Sequence, residues 1–153
     1  MLSRILKTHP GLAPTFLRLP LGLAFLAHGF QKMLGVFGGS GFSATMNMFT
    51  HRMHIPPVFA FLAIASEFFG GLGLLIGFLS RIAAFGIFVN MLVAIYLVAL
   101  PYGFFINWSG KQKGEGIEFH LLAIGMTLAI MILGSGSFSV DLMLSGSGKK
   151  RGR

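Results

Sequence analysis

Cysteine is absent from the 153-residue sequence, and charged residues are scarce, at 10% of the chain. Without cysteine the chain cannot form disulfides, cysteine-ligated zinc sites, iron–sulfur clusters or CxxC redox motifs. A soluble domain carries about 25% charged residues, so the low charge content argues against a soluble protein. Hydrophobic residues make up 54% of the chain, and its mean hydropathy is +0.80. Together these values indicate an integral membrane protein.

Long apolar runs predict four membrane-spanning helices, at about residues 14–33, 58–79, 82–106 and 117–133. The second run is the clearest, because 22 helical residues extend about 33 Å and a hydrocarbon core is about 30 Å thick. A break in the third helix is expected near Pro101, since proline interrupts a helix. The expected fold class is therefore all-α, an integral membrane four-helix bundle in a single domain over residues 1–144.

The connection between the first two spans is too long for a simple turn. Apolar residues recur in it at helical spacing, and they are Phe42, Met46, Phe49 and Met53. This pattern predicts a short amphipathic helix that lies at the outer membrane surface or, alternatively, covers the bundle as a lid. Residues 145–153 are basic and rich in glycine and serine, which predicts a disordered tail near anionic lipid.

The net charge of +8 comes from basic residues at the ends of the spans and in the tail. Lipid headgroups explain this arrangement better than nucleic acid does, so no nucleic-acid partner is expected. The side that carries both termini holds eight of them: Arg4, Lys7, Arg18, Arg81, Lys149, Lys150, Arg151 and Arg153. The opposite side holds four: Lys32, Arg52, Lys111 and Lys113. Cytoplasmic loops are enriched in lysine and arginine, so both termini are expected in the cytoplasm.

Glu67 lies in the middle of the second apolar run, where a carboxylate costs several kcal/mol unless it is protonated, paired or hydrated. Small residues at spacings of three and four accompany it and predict a face turned toward other helices. Counted from the cytoplasmic ends of the spans, polar groups of all four helices fall in one outer-half layer. These groups are His28, Glu67, Asn90 and Glu118, with Lys32 one turn above. They are the candidate pocket or proton relay.

Three interpretations of this layer remain open from the residues alone. Glu67 and either His28 or Lys32 form a structural ion pair between two helices, or the layer is a site for a small molecule or for protons, or the polar residues are unrelated to one another. Glu118 and His120 are about 200° apart around a helix, so only one of them faces a shared cavity, and the sequence does not decide which. No catalytic residue and no metal site is assigned.

Several motifs occur in the order and spacing found in a known family. They are RLPLG at 18–22, LAHGFQK at 26–32, FGG at 37–39, IPP at 55–57, EFFGGL at 67–72, GFLSR at 77–81, GFF at 103–105, EFHLL at 118–122 and GSGSFSVD at 134–141. Over about residues 16–144 the chain resembles the DoxX family of small bacterial membrane proteins with four spans. The family pattern includes His28, Lys32, Glu67, Arg81 and Glu118, and we expect Arg18, Arg81 and Asp141 to be structural charges.

The resemblance implies a bacterial inner-membrane protein in a quinone-associated or redox-accessory role, because a relative is the membrane subunit of a thiosulfate:quinone oxidoreductase. It implies no cofactor on this chain other than a bound quinone, and it leaves open whether the chain is an enzyme. Other membrane subunits, or further copies of the chain, are the expected partners. The alternative is a non-catalytic subunit that scaffolds a larger membrane complex, with its polar residues holding the helices together.

Overall fold

The computed structural model describes residues 5–145, and all regular secondary structure among them is helical. Four long helices and two short ones follow in order: α1 Leu12–Leu34, α2 Gly41–Asn47, α3 Pro57–Ile76, α4 Ser80–Ala94, α5 Glu118–Leu133 and α6 Val140–Leu144. A π-helical turn, Met48–Arg52, continues α2. A second π-helical turn, Ile95–Ala99, and a 3-10 turn, Leu100–Tyr102, continue α4. The all-α class expected from the sequence is confirmed.

The four long helices pack in a closed ring, because α1 contacts α3, α3 contacts α4, α4 contacts α5 and α5 contacts α1. The α1–α3 contact is the most extensive. Apolar side chains from all four helices fill the centre: Leu21, Phe25, Leu74, Ala84, Ile87, Met91, Ala123 and Ile130. Burying a large aliphatic or aromatic side chain stabilises a fold by about 1.5–3 kcal/mol relative to exposing it to water. The cluster therefore stabilises this arrangement of the helices wherever its side chains would otherwise contact water.

Glycines bring α1 and α3 into backbone contact. A Cβ atom on Gly29 would lie 2.5 Å from the Cα atom of Phe68, and one on Gly71 would lie 2.4 Å from the backbone nitrogen of Leu26. Real side chains do not fit at such distances, so glycine is required at both positions. The small residues Gly70 and Gly73 of α3 face α4 instead.

A cluster of polar contacts joins residues 134–145 to α1, to the end of α3 and to the start of α4. Arg18 is 1% exposed and donates hydrogen bonds to backbone carbonyls, namely those of Leu74, Leu75, Ser135, Ser137 and Phe138. Asp141 is equally buried and accepts from the backbone N–H groups of Leu79 and Ser80, which caps the first turn of α4. Arg81 donates to the carbonyls of Lys7, Met131 and Ile132. Segments that are distant in sequence are thus joined by each of the three charged residues, Arg18, Arg81 and Asp141.

Two helices among the described residues are long and apolar enough to cross a membrane. They are Pro57–Ile76, with a mean hydropathy of 2.0, and Ser80–Tyr102, with a mean hydropathy of 2.4. Helix α5 is apolar but has only 16 residues, and α1, which contains Arg18, Pro20 and Lys32, does not meet the same requirement. Two of the four expected spans are therefore supported by length and composition.

The connection between α1 and α3 contains the expected short helix, but its form differs from the prediction. Regular α-helical geometry ends at Asn47, and the π-helical turn then changes the spacing of the side chains that follow. The sequence pattern assumed one continuous α-helical period from Phe42 to Met53, which a π turn interrupts. The basic tail predicted at residues 145–153 falls, from residue 146 onward, outside the described residues.

Candidate functional site

Glu67 lies at the centre of a three-residue polar contact that joins α1, α3 and α4. Its Oε2 atom forms an ion pair with Nζ of Lys32, and its Oε1 atom accepts a hydrogen bond of 3.0 Å from Nδ2 of Asn90. The side chain of Glu67 is 7% exposed, while that of Lys32 is 27% exposed. Both carboxylate oxygens therefore have protein partners, and this offsets much of the cost of burying the charge.

Helix geometry explains why these three residues meet. Gly29 contacts the backbone of Glu67 and Phe68, and Lys32 follows Gly29 by three residues, so it lies on the same face of α1. Glu67 is nine residues before the end of α3, and Asn90 is ten residues after the start of α4. Since α3 and α4 are adjacent and joined by a tight turn at residues 77–79, equal distances of about 14–15 Å from that turn bring the two side chains level.

The polar contact forms part of the wall of a large open groove. The groove has a volume of about 1280 Å³ and runs along α3 and α4 from the α2–α3 connection to the turn between α3 and α4. Its polar lining residues are Lys32, Ser66, Glu67, Asn90 and His120, and the rest of its lining is apolar or glycine. A long apolar groove with a small polar area on its wall suits an amphipathic ligand.

Both π-helical turns border this groove. Met48 and Phe49, from the turn after α2, and Leu97 and Val98, from the turn after α4, contribute to its lining, as do Met53 and Ile55. The amphipathic pattern in the sequence had identified Phe49 and Met53 as apolar helix positions, but it gave no sign of their location over this groove. The segment after α2 thus lines one end of the groove.

His28 and Glu118, both predicted in the polar layer, do not line the groove. His28 is exposed on α1, about 100° around the helix from Gly29, so it points away from α3. Glu118 instead accepts a hydrogen bond of 3.0 Å from the backbone N–H of Ile106 and fixes the loop that precedes α5. Of the two expected partners of Glu67 on α1, Lys32 is the one in contact.

Of the two residues between which the sequence left the choice open, His120 lines the groove and Glu118 does not. His120 is the one α5 residue in the groove lining. Among the described residues no group of three or more histidine, aspartate or glutamate side chains is arranged to hold a metal ion. The groove therefore combines one ion pair, two neutral polar side chains and one histidine on an apolar surface.

Comparison with known proteins identifies the family. The DoxX family model matches residues 13–100, which include α1 except its first residue and all of α2 to α4, and thus Lys32, Glu67 and Asn90, but not His120. Neither a curated protein nor a solved structure matches the chain significantly. The family match extends over more than half of the 153 residues. The chain therefore belongs to the DoxX family of membrane proteins.

Proposed function

We propose that this protein is a quinone-binding accessory subunit of a redox complex in the bacterial inner membrane. The observation that carries the proposal is the groove itself, where Lys32, Glu67 and Asn90 form a polar area on a wall that is otherwise apolar. A quinone has the matching form, since its ring carries two carbonyl acceptors and its isoprenoid chain is apolar. At about 1280 Å³ the groove is larger than most small-molecule pockets, which have volumes of about 300–1,000 Å³.

The hydrogen-bonding capacity of the polar residues suits a carbonyl acceptor. The ammonium group of Lys32 has three N–H donors, and its contact with Glu67 leaves others free. Asn90 uses one N–H on Glu67 and has a second. A quinone carbonyl near these groups gains charge-assisted hydrogen bonds, while Glu67 holds both donors in place. In this role the chain binds and orients the quinone, and a partner subunit supplies the electrons.

The proposal includes the topology predicted from the sequence: four spans and cytoplasmic termini. The closed ring of α1, α3, α4 and α5 supports it, because α1 and α5 pack along the two helices that are long and apolar enough to span. The predominance of basic residues on the terminal side supports the orientation. With this topology the polar part of the groove lies in the outer half of the membrane, and its apolar part extends toward the cytoplasmic side.

A second candidate function is that of a scaffold subunit without a ligand. The observation in its favour is that both carboxylate oxygens of Glu67 already have protein partners. In that case the polar contact holds α1, α3 and α4 together, and the groove is occupied by ordinary membrane lipid. The two functions differ in whether a quinone is bound specifically.

Quinone analysis of the purified protein tests the proposal. The protein is extracted in mild detergent, and its quinone content is measured per chain by chromatography. Val93→Trp places a large ring in the groove from a position that is already 41% exposed, so helix packing is preserved. Ile132→Trp is the matched control, since Ile132 is also an exposed β-branched residue, on α5 and outside the groove.

We expect quinone to be enriched in the wild type and in Ile132→Trp and reduced about tenfold or more in Val93→Trp. This reduction corresponds to about 1.4 kcal/mol of binding free energy, a modest value for a steric block. Equal quinone content in both variants, or no enrichment over an unrelated membrane protein, would contradict the proposal and leave the scaffold function.

A further inference from the structure

We propose that His120 supplies the groove with a hydrogen-bond acceptor and that the site consequently binds the reduced hydroquinone more tightly than the quinone. This inference rests on the proposed function, because it concerns the ligand of the same groove. It adds a residue beyond the stretch matched by the family model and a preference between two redox forms of the ligand.

His120 is the one polar residue of the groove lining with a buried side-chain atom that lacks a hydrogen-bond partner of good geometry among the described residues. Lys32 and Asn90 are engaged with Glu67, and the hydroxyl of Ser66 donates to the carbonyl of Ala63 at 2.8 Å. The Nε2 atom of His120 is not buried and makes no hydrogen bond to another described residue, so it is the ring nitrogen that a ligand in the groove can reach. A ligand that hydrogen-bonds to Nε2 gives this polar atom a partner in an otherwise apolar groove.

The two ring nitrogens of His120 have different surroundings. Nδ1 is buried and lacks a hydrogen-bond partner of good geometry, so it cannot reach a ligand in the groove. The backbone carbonyl of Gly116, one helical turn earlier, interacts with the ring. We infer that Nδ1 carries the hydrogen of the neutral ring. The other nitrogen, Nε2, then presents a lone pair to the groove.

The groove thus offers two kinds of hydrogen-bonding group from three different helices. Lys32 on α1 and Asn90 on α4 have spare donors, while Nε2 of His120 on α5 is an acceptor. A hydroquinone has hydroxyl groups, which accept hydrogen bonds from Lys32 and Asn90 and donate one to Nε2 of His120. A quinone has carbonyl oxygens alone, and their lone pairs face the lone pair of Nε2. Sites built to bind a hydroxyl discriminate against analogues that lack its hydrogen.

Ligand binding to the full chain in lipid nanodiscs tests this inference. A short-chain hydroquinone and the corresponding quinone are titrated separately, the former under anaerobic reducing conditions. The titrations are performed at about pH 8, where an ordinary histidine with a pKa near 6.5 is neutral. The charged groups that share the groove with His120 are Lys32 and Glu67, while Glu118 is turned toward Ile106.

The variant is His120→Phe, which retains an aromatic ring next to Phe119, whose ring centroid lies 5.9 Å from that of His120. The matched control is His28→Phe, the same substitution at an exposed histidine outside the groove. We expect the wild type and the control to bind hydroquinone about tenfold more tightly than quinone, as one ordinary hydrogen bond allows. In His120→Phe this preference should fall to within about twofold, with quinone affinity unchanged.

Each other result has a distinct meaning. If the wild type binds neither form, the proposed function fails and the inference fails with it. If the wild type binds both forms equally, or if His120→Phe keeps the preference, the inference is wrong while quinone binding stands. An equal loss in His28→Phe also overturns it. If His120→Phe does not fold, His120→Gln takes its place, because its amide oxygen still accepts: retention of the preference supports the inference, and its complete loss contradicts it.

Discussion

At the scale of single residues, two charged side chains buried in this protein are stabilised in different ways. Glu67 is paired with a cation and an amide, Lys32 and Asn90, which come from two other helices. Arg18 donates mainly to backbone carbonyls, among them those of Leu74 and Phe138. The carbonyls at the end of a helix lack partners within it, so the guanidinium group satisfies acceptors that need donors. Both arrangements depend on contacts distant in sequence.

The pairing of Glu67 predicts a stability effect at this scale. Glu67→Gln keeps the shape of the side chain and its contact with Asn90, but it removes the charge opposite Lys32. Because Lys32 is partly exposed, we expect a loss of only about 1–3 kcal/mol in the free energy of unfolding, the cost of leaving a partly buried charge unpaired. Unfolding by denaturant in mixed micelles measures it.

Glu115→Gln is the matched control, since Glu115 is an exposed carboxylate that accepts from the backbone N–H of Asn107 in the loop before α5. Its unfolding free energy should stay within about 0.5 kcal/mol of the wild-type value, as is usual for surface substitutions. If Glu67→Gln is no less stable than Glu115→Gln, the ion pair does not contribute to the stability of the fold.

At the scale of helices, the close contact between α1 and α3 positions the ion pair. Gly29 and Gly71 allow the two backbones to meet, and Lys32 reaches Glu67 from the same face of α1 that carries Gly29. In membranes, where lipid competes with apolar side chains, helices associate through such close packing and through polar contacts. The α1–α3 interface uses both kinds of interaction within about one helical turn.

Alanine substitutions at two glycines, one inside this interface and one outside it, are expected to have opposite effects on stability. Gly71→Ala places a methyl group 2.4 Å from the backbone nitrogen of Leu26, so we expect α1 and α3 to separate locally at a cost of about 1–3 kcal/mol. Gly125→Ala is the control, because a Cβ atom there has open space around it and alanine favours the helix by about 0.5–1 kcal/mol. Thermal unfolding in detergent compares them, and an equally stable Gly71→Ala would show that the interface yields without cost.

At the scale of the whole molecule, the contacts of residues 134–145 join the end of the described chain to its beginning. Thr8 and Thr15 bond to the Gly136–Ser137 backbone, and Asp141 caps the start of α4. These contacts close the ring of helices at the side that carries both termini. From the sequence, eight of the twelve lysine and arginine residues are expected on that side, and this is the basis for the proposed cytoplasmic orientation.

Because the chain contains no cysteine, single cysteine substitutions test this orientation directly. Ser109→Cys lies in the loop before α5, and Ser147→Cys lies in the basic tail. In intact cells, a maleimide that cannot cross the inner membrane should label Ser109→Cys but label Ser147→Cys only after permeabilisation. The reverse pattern would show that both termini are outside and would place the polar part of the groove in the inner half of the membrane.

Composition and hydrophobic patterning determined by themselves the all-helical class, the approximate ends of the long helices and the need of Glu67 for polar partners. Those properties follow from local sequence, because helix length, apolarity and the cost of a buried carboxylate depend on neighbouring residues. The sequence also limited the partners of Glu67 on α1 to His28 and Lys32, which are four residues apart.

Only the tertiary structure decided which side chains meet. Lys32 contacts Glu67 while His28 does not, because the rotation of α1 is set by the glycine contact with α3. His120 faces the groove and Glu118 the loop, because α5 packs against α1 and α4 at one particular rotation. The π-helical turns that border the groove were also unpredictable, since their geometry depends on packing and on the following loop. Sequence periodicity shows which residues share a face of a helix, and packing alone decides which face turns toward a given neighbour.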